Sequence, residues 1–311
     1  MTSISETSLF WLLRLAQYTP FRGNNNSFAT SGETKTNDDF QQARLEALNC
    51  PEFVGFFRER PLNLAGQDVL DLGSGYGGKT VEYGKQLGAR KVVGIEPYAN
   101  MVQKAVEYAR SVGADNIEFR HCAHLDIPAA DGEFDAILSH DVIEHVENPG
   151  STLAEMYRVL KPNGVAYVVF TPYWGAFAHH LGYVCRAPFI HWFFGARTIV
   201  NAVNRLLSGK GGERFGTSLQ PAPKRKFDGG REVLPTLNGI GGAEMLQLAQ
   251  EIGFEVCYVK YPTIISRFAP NARMLDRFNV FLMKLHPFME EAMSYNLTCI
   301  LSKKPSGAAT V

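Results

Sequence analysis

The sequence carries no surplus of charge of either sign. Lys+Arg and Asp+Glu each number 31 in 311 residues, so the formal charge is zero. Nucleic-acid binders ordinarily carry a basic excess that displaces counterions from phosphates, so no RNA or DNA partner is expected. The basic triplet Lys224-Arg225-Lys226 reads as a solvated loop. Cysteine is scarce and unpatterned. Cys50, Cys122, Cys185, Cys257 and Cys299 make no CxxC pair and total an odd number, five. That fits reduced thiols in a cytoplasmic protein better than a disulfide framework. Long apolar runs are missing as well. Leu9-Phe10-Trp11-Leu12-Leu13 stops at Arg14 and follows no basic segment. It is too short for a signal peptide or a transmembrane segment and reads as an amphipathic docking helix. No internal repeat stands out.

What is present suits a folded α/β chain. A hydrophobic content of 45% supports a full core, and the length allows one large domain with insertions or two small ones. Residues 1–22 predict a short helix and 23–39 a polar linker. A helix with Leu45, Leu48, Phe53, Phe56 and Phe57 follows, interrupted at Pro51. From residue 66, short β-branched runs alternate with amphipathic stretches, the pattern of a parallel sheet covered on both faces. Strands are expected at Asp68–Leu72, Val92–Glu96, Ile117–His121, Phe134–Ser139 and Val165–Phe170. The intervening helices fall at Lys79–Leu87, Ala99–Val112 and Pro149–Leu160, the last followed by a turn at Lys161-Pro162-Asn163-Gly164. After Thr171-Pro172 the alternation stops for some sixty residues rich in aromatics and histidine, apart from a helix at 196–207. A loop that long is commonly a lid or a substrate wall. A helix at Ala243–Ile252, a strand at Phe254–Tyr261, a helical excursion at 271–292 and a strand at Tyr295–Ser302 complete the chain.

The chemistry concentrates in Val69-Leu70-Asp71-Leu72-Gly73-Ser74-Gly75-Tyr76-Gly77-Gly78. The loop follows a buried strand and opens a helix, so its backbone can cradle a ligand. Gly73, Gly75 and Gly77 let the turn approach that ligand without a Cβ in the way. Residues 73–78 also fit G-x-G-x-x-G, so a dinucleotide competes. Asp71 separates the two, because a carboxylate there faces a pyrophosphate unfavourably and suits an ammonium and a sulfonium. Charge complementarity thus prefers S-adenosylmethionine to NAD. Glu96, at the tip of the second strand, can accept both ribose hydroxyls of either nucleotide.

Five motifs in order now resemble a known family. They are Asp71-x-Gly73-x-Gly75-x-Gly77, Glu96, Phe134-Asp135, Glu144-His145-Val146 and Lys161-Pro162-x-Gly164. Together, over residues 60–172, they resemble class I S-adenosylmethionine-dependent methyltransferases, most of all the small-molecule branch that includes ubiquinone-type O-methyltransferases. The resemblance implies a Rossmann-like, doubly wound, mostly parallel sheet with an antiparallel last strand and helical insertions forming a lid. The implied divisions are 1–60, a helical segment with linker; 61–172, the cofactor-binding core; 173–240, an insertion over the acceptor; and 241–311, the closing elements. Asp71, Gly73, Ser74, Gly75 and Gly77 would hold the methionine part of the cofactor and Glu96 the ribose. Relatives place an Asp where this chain has Ala123, so backbone near Ala123 or the His124 side chain would cover the adenine. His140, at the end of the fourth strand, joins the cofactor-binding set.

On the acceptor side, ligands of open α/β sheets sit beyond the carboxyl ends of the strands, which favours His140 and His145 among the histidines. His145 and His180 are the expected catalytic pair. Asp141-x-x-Glu144-His145 would share one face if it turned helically and could then hold a divalent ion. Relatives without metal also carry Glu-His-Val, and no metal is assigned; His179-His180 with His191 has generic spacing. Aromatics at 173–194, with Met274, Leu275, Phe278, Phe281, Leu282 and Leu285, either line an apolar acceptor pocket or pack the insertions onto the domain. The expected activity is O- or N-methylation of a small, apolar or aromatic acceptor. A cofactor-holding relative with other chemistry or a scaffold role, and an NAD-linked oxidoreductase, are the alternatives.

Overall fold

In a computed structural model of the chain, residues 4–19, 40–122, 126–209, 218–223, 230, 232–268 and 271–304 are described. The elements run α1 (Ile4–Ala16), α2 (Gln41–Leu48), α3 (Cys50–Phe56), β1 (Asp68–Leu72), α4 (Gly78–Lys85), β2 (Lys91–Glu96), α5 (Ala99–Ser111) and β3 (Ile117–His121). Next come β4 (Phe134–His140), α6 (Pro149–Val159), β5 (Leu160–Phe170), α7 (Ile190–Phe193) and α8 (Ala196–Leu207). The chain closes with α9 (Gly242–Ile252), β6 (Phe254–Lys260), α10 (Ile264–Phe268), α11 (Arg273–Met283), α12 (Pro287–Ala292) and β7 (Leu297–Lys303).

These elements form two compact units: one of Thr36–Phe170, Gly242–Tyr261 and Leu297–Val311, and another of Met1–Lys35, Thr171–Gly241 and Pro262–Asn296. Residues 40–60 thus cluster with the sheet and 262–296 with the helices.

The first unit holds a seven-stranded sheet of order β3-β2-β1-β4-β5-β7-β6. The strands from β1 to β5 are parallel, and β7 runs antiparallel between β5 and β6. Strands β1 and β2 are buried almost throughout, as continuous apolar runs demand, whereas β6 at the edge alternates exposed and half-buried positions. Beneath the sheet, Phe53, Phe57, Val69, Val92 and Leu138 share one core with Tyr83 and Tyr167.

One expectation is revised here. Residues 161–164 lie inside β5 rather than before it. Phe134 pairs with Leu160 and Ala136 with Val165, so the turn becomes a bulge with Asn163 at φ 66°. The interruption expected at Pro51 takes the form of a break at Asn49, because Pro51 can occupy the first turn of a new helix but not the interior of an old one.

In the second unit, α1 and α8 bury Leu9, Leu13, Ile199, Val203 and Leu207 together with Val184. Gln17 Nε2 donates to the Val184 carbonyl at 2.7 Å, and the Arg205 guanidinium lies 4.2 Å from the Phe10 ring centroid. The excursion at 271–292 is two helices, broken where Pro287 starts α12. Met274, Leu275, Phe278, Phe281 and Leu285 stand exposed, so as described they neither line a pocket nor pack an insertion.

Candidate functional site

β1 pairs with β2 on one side and β4 on the other, so the carboxyl ends of these strands bring Leu72, Ile95 and Ser139 level. Chain order reverses across β1 and β4, and such a switch point leaves a crevice beyond the strand tips. The glycine loop turns there. Gly73 and Ser74 both donate their amides to the Ile95 carbonyl, at 2.9 and 3.0 Å, tying the loop to β2. Gly73, Gly75 and Gly77 have φ of 77°, 56° and 82°, a region that side-chain-bearing residues avoid. Gly77 then caps α4. A side chain at Gly73 would overlap Val142, and one at Gly78 would overlap the Ala43 backbone of α2.

Three carboxylates gather at this loop, all buried: Asp71, Glu96 and Glu46. Asp71 accepts the Thr80 hydroxyl on Oδ2 at 2.6 Å. Burial holds its carboxyl above the ordinary range, against the pull of the Thr80 bond and of Lys79. Glu96 accepts Gly75 N–H at 3.0 Å and Tyr98 N–H at 3.3 Å, and burial again raises it. Glu46, from α2, accepts Tyr76 N–H and Gly78 N–H at 3.1 Å each. Burial drives its carboxyl up from 4.5 to about 7, with Lys79 and the two amides opposing and the Asp71 charge adding. The sequence reading missed Glu46 and Thr80. The available signal was an acid on the α2 face that Ala43 also shares, the face turned inward.

Of the residues expected at the site, Asp71, Gly73, Ser74, Gly75, Gly77, Glu96 and His140 meet at the strand tips. Ser74 is buried and its Oγ has no hydrogen-bond partner among the described residues. His140 Nδ1 takes a bond from Lys79 Nζ at 3.0 Å, and Nε2 lies 3.5 Å from Asp141 Oδ2. Its ring sits 5.1 Å from that of Phe53. The ring is thus engaged on its Nδ1 side by Lys79. His145 is half-buried one turn past β4, where its N–H bonds the Val142 carbonyl at 2.8 Å. Only that single turn forms, Asp141 sits at φ 55°, and Asp141 joins no three-ligand cluster among the described residues. Ala123 and His124 lie outside the described residues, as does the 224–226 triplet.

His180 belongs to the helical unit, at φ 51°. Its neighbours are not ligands in waiting. Buried His179 accepts the Leu181 amide on Nδ1 and donates from Nε2 to the Ala187 carbonyl, both at 3.0 Å. Burial, then the nearby His191, lower it from 6.5 to about 3. His191 bonds the Tyr173 carbonyl at 2.9 Å and is lowered by burial to about 4. His179 is thus engaged at both ring nitrogens and His191 at one, and the trio His179-His180-His191 forms no three-ligand cluster among the described residues.

Comparison with known proteins agrees with this geometry. Residues 70–168 match the model of the methyltransferase domain. An uncharacterised methyltransferase of Mycobacteroides abscessus is 31% identical over 166 residues, 52% of this chain and 60% of that protein. The tRNA 5-carboxymethoxyuridine methyltransferase of Escherichia coli K12 is 32% identical over 115 residues, 36% of this chain and 43% of its own length. The chain thus spans about half the length of these relatives. A candidate sarcosine dimethylglycine methyltransferase of Galdieria sulphuraria superposes with a TM-score of 0.50 at 16% identity, covering 97% of this chain and 99% of that one, a likeness of fold. With Asp71, the glycine loop and Glu96 in this order on a sheet of this topology, residues 70–168 carry a methyltransferase domain.

Proposed function

We propose that the protein transfers the methyl group of S-adenosylmethionine to oxygen or nitrogen of a small, apolar or aromatic acceptor, in the cytoplasm. The observation that carries the donor side is the trio Glu46, Asp71 and Glu96, three buried carboxylates around one glycine loop. Each is held above its ordinary range first by burial. A cation relieves that strain, and a pyrophosphate worsens it. The unpartnered Ser74 hydroxyl offers a further bond. These groups fit a ligand bearing an ammonium, a sulfonium and a ribose diol, and they disfavour NAD.

When bound, S-adenosylmethionine supplies an activated methyl on sulfur for in-line displacement. The acceptor gains the methyl, loses one proton, and leaves a neutral thioether. Asp71 with Gly73, Ser74, Gly75 and Gly77 would orient the methionine part, and Glu96 the ribose. His140, locked by Lys79, would shape the cofactor side without taking a proton at Nδ1. His145 and His180 are assigned the acceptor side, to receive the proton of a phenol or amine. The rest of the acceleration comes from positioning and exclusion of water.

The balanced charge favours a small acceptor over the RNA named for the Escherichia coli relative. Five cysteines without a disulfide support the cytoplasm. Calorimetric titration with S-adenosylmethionine, S-adenosylhomocysteine and NAD, repeated on Asp71→Ala, tests the donor side. Binding of the first two, lost in the variant, supports the reading; binding of NAD instead overturns it. Transfer of labelled methyl to phenols and amines, against transfer RNA, then decides the acceptor class.

A further inference from the structure

Helix α11 turns its polarity inside out. Met274, Phe278 and Phe281 recur at one-turn spacing along one face, with Leu285 in the turn just past its end, and they are 82%, 59%, 57% and 60% exposed. Its buried positions include Asn279, whose Nδ2 donates to the Met293 carbonyl at 3.1 Å. An amide therefore goes in while aromatics face out. Arg273, Arg277 and Lys284 stand exposed beside the stripe. Asp276, the acid of this helix, is half-buried and takes the Thr263 hydroxyl. The exposed face is thus apolar and cationic, with no exposed acid on the helix to offset it.

The patch continues past the break. Phe288, itself exposed, packs 5.4 Å from the Trp192 ring in the same unit, and Trp192 is also solvent-exposed. Helix α1 repeats the pattern independently. Trp11, Leu12 and Leu15 are exposed around Arg14, while the helix's acid, Glu6, is buried.

We propose that α11, with Phe288 and Trp192, docks on a membrane surface that carries anionic lipid. Acyl chains can take the stripe while headgroup phosphates take Arg273, Arg277 and Lys284, the division of labour of an in-plane amphipathic helix. Indole at the rim suits the boundary between water and hydrocarbon. Eleven residues cannot cross a bilayer, and no helix of the described residues is long and apolar enough to do so, so the helix lies in the surface plane. A two-fold contact with a second copy would set Arg277 and Lys284 against the same charges, so charge complementarity selects the lipid. This surface stands apart from the methyl-transfer reading, since none of its residues belongs to the glycine-loop site.

Co-sedimentation of the full chain with vesicles tests it. One vesicle mixes phosphatidylcholine with phosphatidylglycerol, and the other is phosphatidylcholine alone. The chain should pellet with the mixed vesicles, with tryptophan emission shifted to the blue. Phe278→Ser/Phe281→Ser and Arg277→Glu/Lys284→Glu should each lower partition by roughly tenfold or more, with unchanged circular dichroism. The substituted side chains are exposed, so the fold does not depend on them. Absence of binding, equal binding to phosphatidylcholine alone, or binding indifferent to both pairs overturns the proposal. So does a concentration-dependent dimer that Phe278→Ser/Phe281→Ser dissociates.

Discussion

The Glu46 carboxylate holds the amide of Gly78 at 3.1 Å, which fastens α2 to the first residue of α4. Its second oxygen holds Tyr76 N–H, so a side chain thirty residues upstream fixes the shape of the glycine loop. Burial raises this acid from 4.5 to about 7. Between those values the folded chain keeps a proton that the unfolded chain has released, so stability falls as pH rises. Over the window the loss approaches about 3 kcal/mol. Thermal melts of the ligand-free protein should show this decline, and Glu46→Gln should flatten it. S-adenosylmethionine should stabilise the protein more at the alkaline end, where its cation meets an ionised Glu46. A wild-type curve that is flat across this window would remove Glu46 from the electrostatics of the site.

Asp71 separates folding from binding. Its neutral isostere relieves a buried charge, so Asp71→Asn should melt at the wild-type temperature or above it near neutral pH. Affinity for S-adenosylmethionine should drop by about tenfold or more, the scale of one charge-assisted hydrogen bond. Calorimetry beside a melting curve reads both effects. A variant that melts early and binds normally would make Asp71 a structural residue alone.

Much of the sheet was legible because its signals are local. β1 and β3 fall where the β-branched runs placed them, and Asp71 and Glu96 stand on their strand tips. Glu46 was hidden, since its role depends on α2 lying against α4 and no spacing from the glycine loop announces it. The helical unit was legible least. Its segments come from three stretches of chain, and the period of α11 does not say whether Phe278 and Phe281 face inward or outward. Histidine content misled in the same way. His179 and His191 look like ligands in a list of residues, yet each gives its Nε2 to a backbone carbonyl, of Ala187 and of Tyr173.

Those two histidines predict a pH response of opposite sign. Burial lowers His179 from 6.5 to about 3 and His191 from 6.5 to about 4. Below 6.5 the unfolded chain binds protons that the folded one refuses, so stability is whole above 6.5 and falls with pH beneath it. The slope is up to about 1.4 kcal/mol per pH unit for each group. Hydrogen exchange resolved by segment should show residues 176–207 opening as pH drops from 6.5 toward 5. His191→Phe should soften the response without abolishing it. Uniform protection across that range would mean that one or both rings reach solvent.

Gly73 carries two separable demands. Its φ of 77° disfavours any side chain, and a Cβ there would overlap Val142, the second residue after β4. Gly73→Ala should therefore cost about 1–2 kcal/mol for the left-handed backbone, with a packing penalty added. Val142→Ala removes the overlapping methyls but not the backbone demand. The double variant should recover part of the lost stability while remaining below Val142→Ala alone. Full recovery would show that crowding alone keeps residue 73 a glycine. No recovery would place the whole demand on the backbone, and with it the tightness of the turn that brings the loop amides to the Ile95 carbonyl.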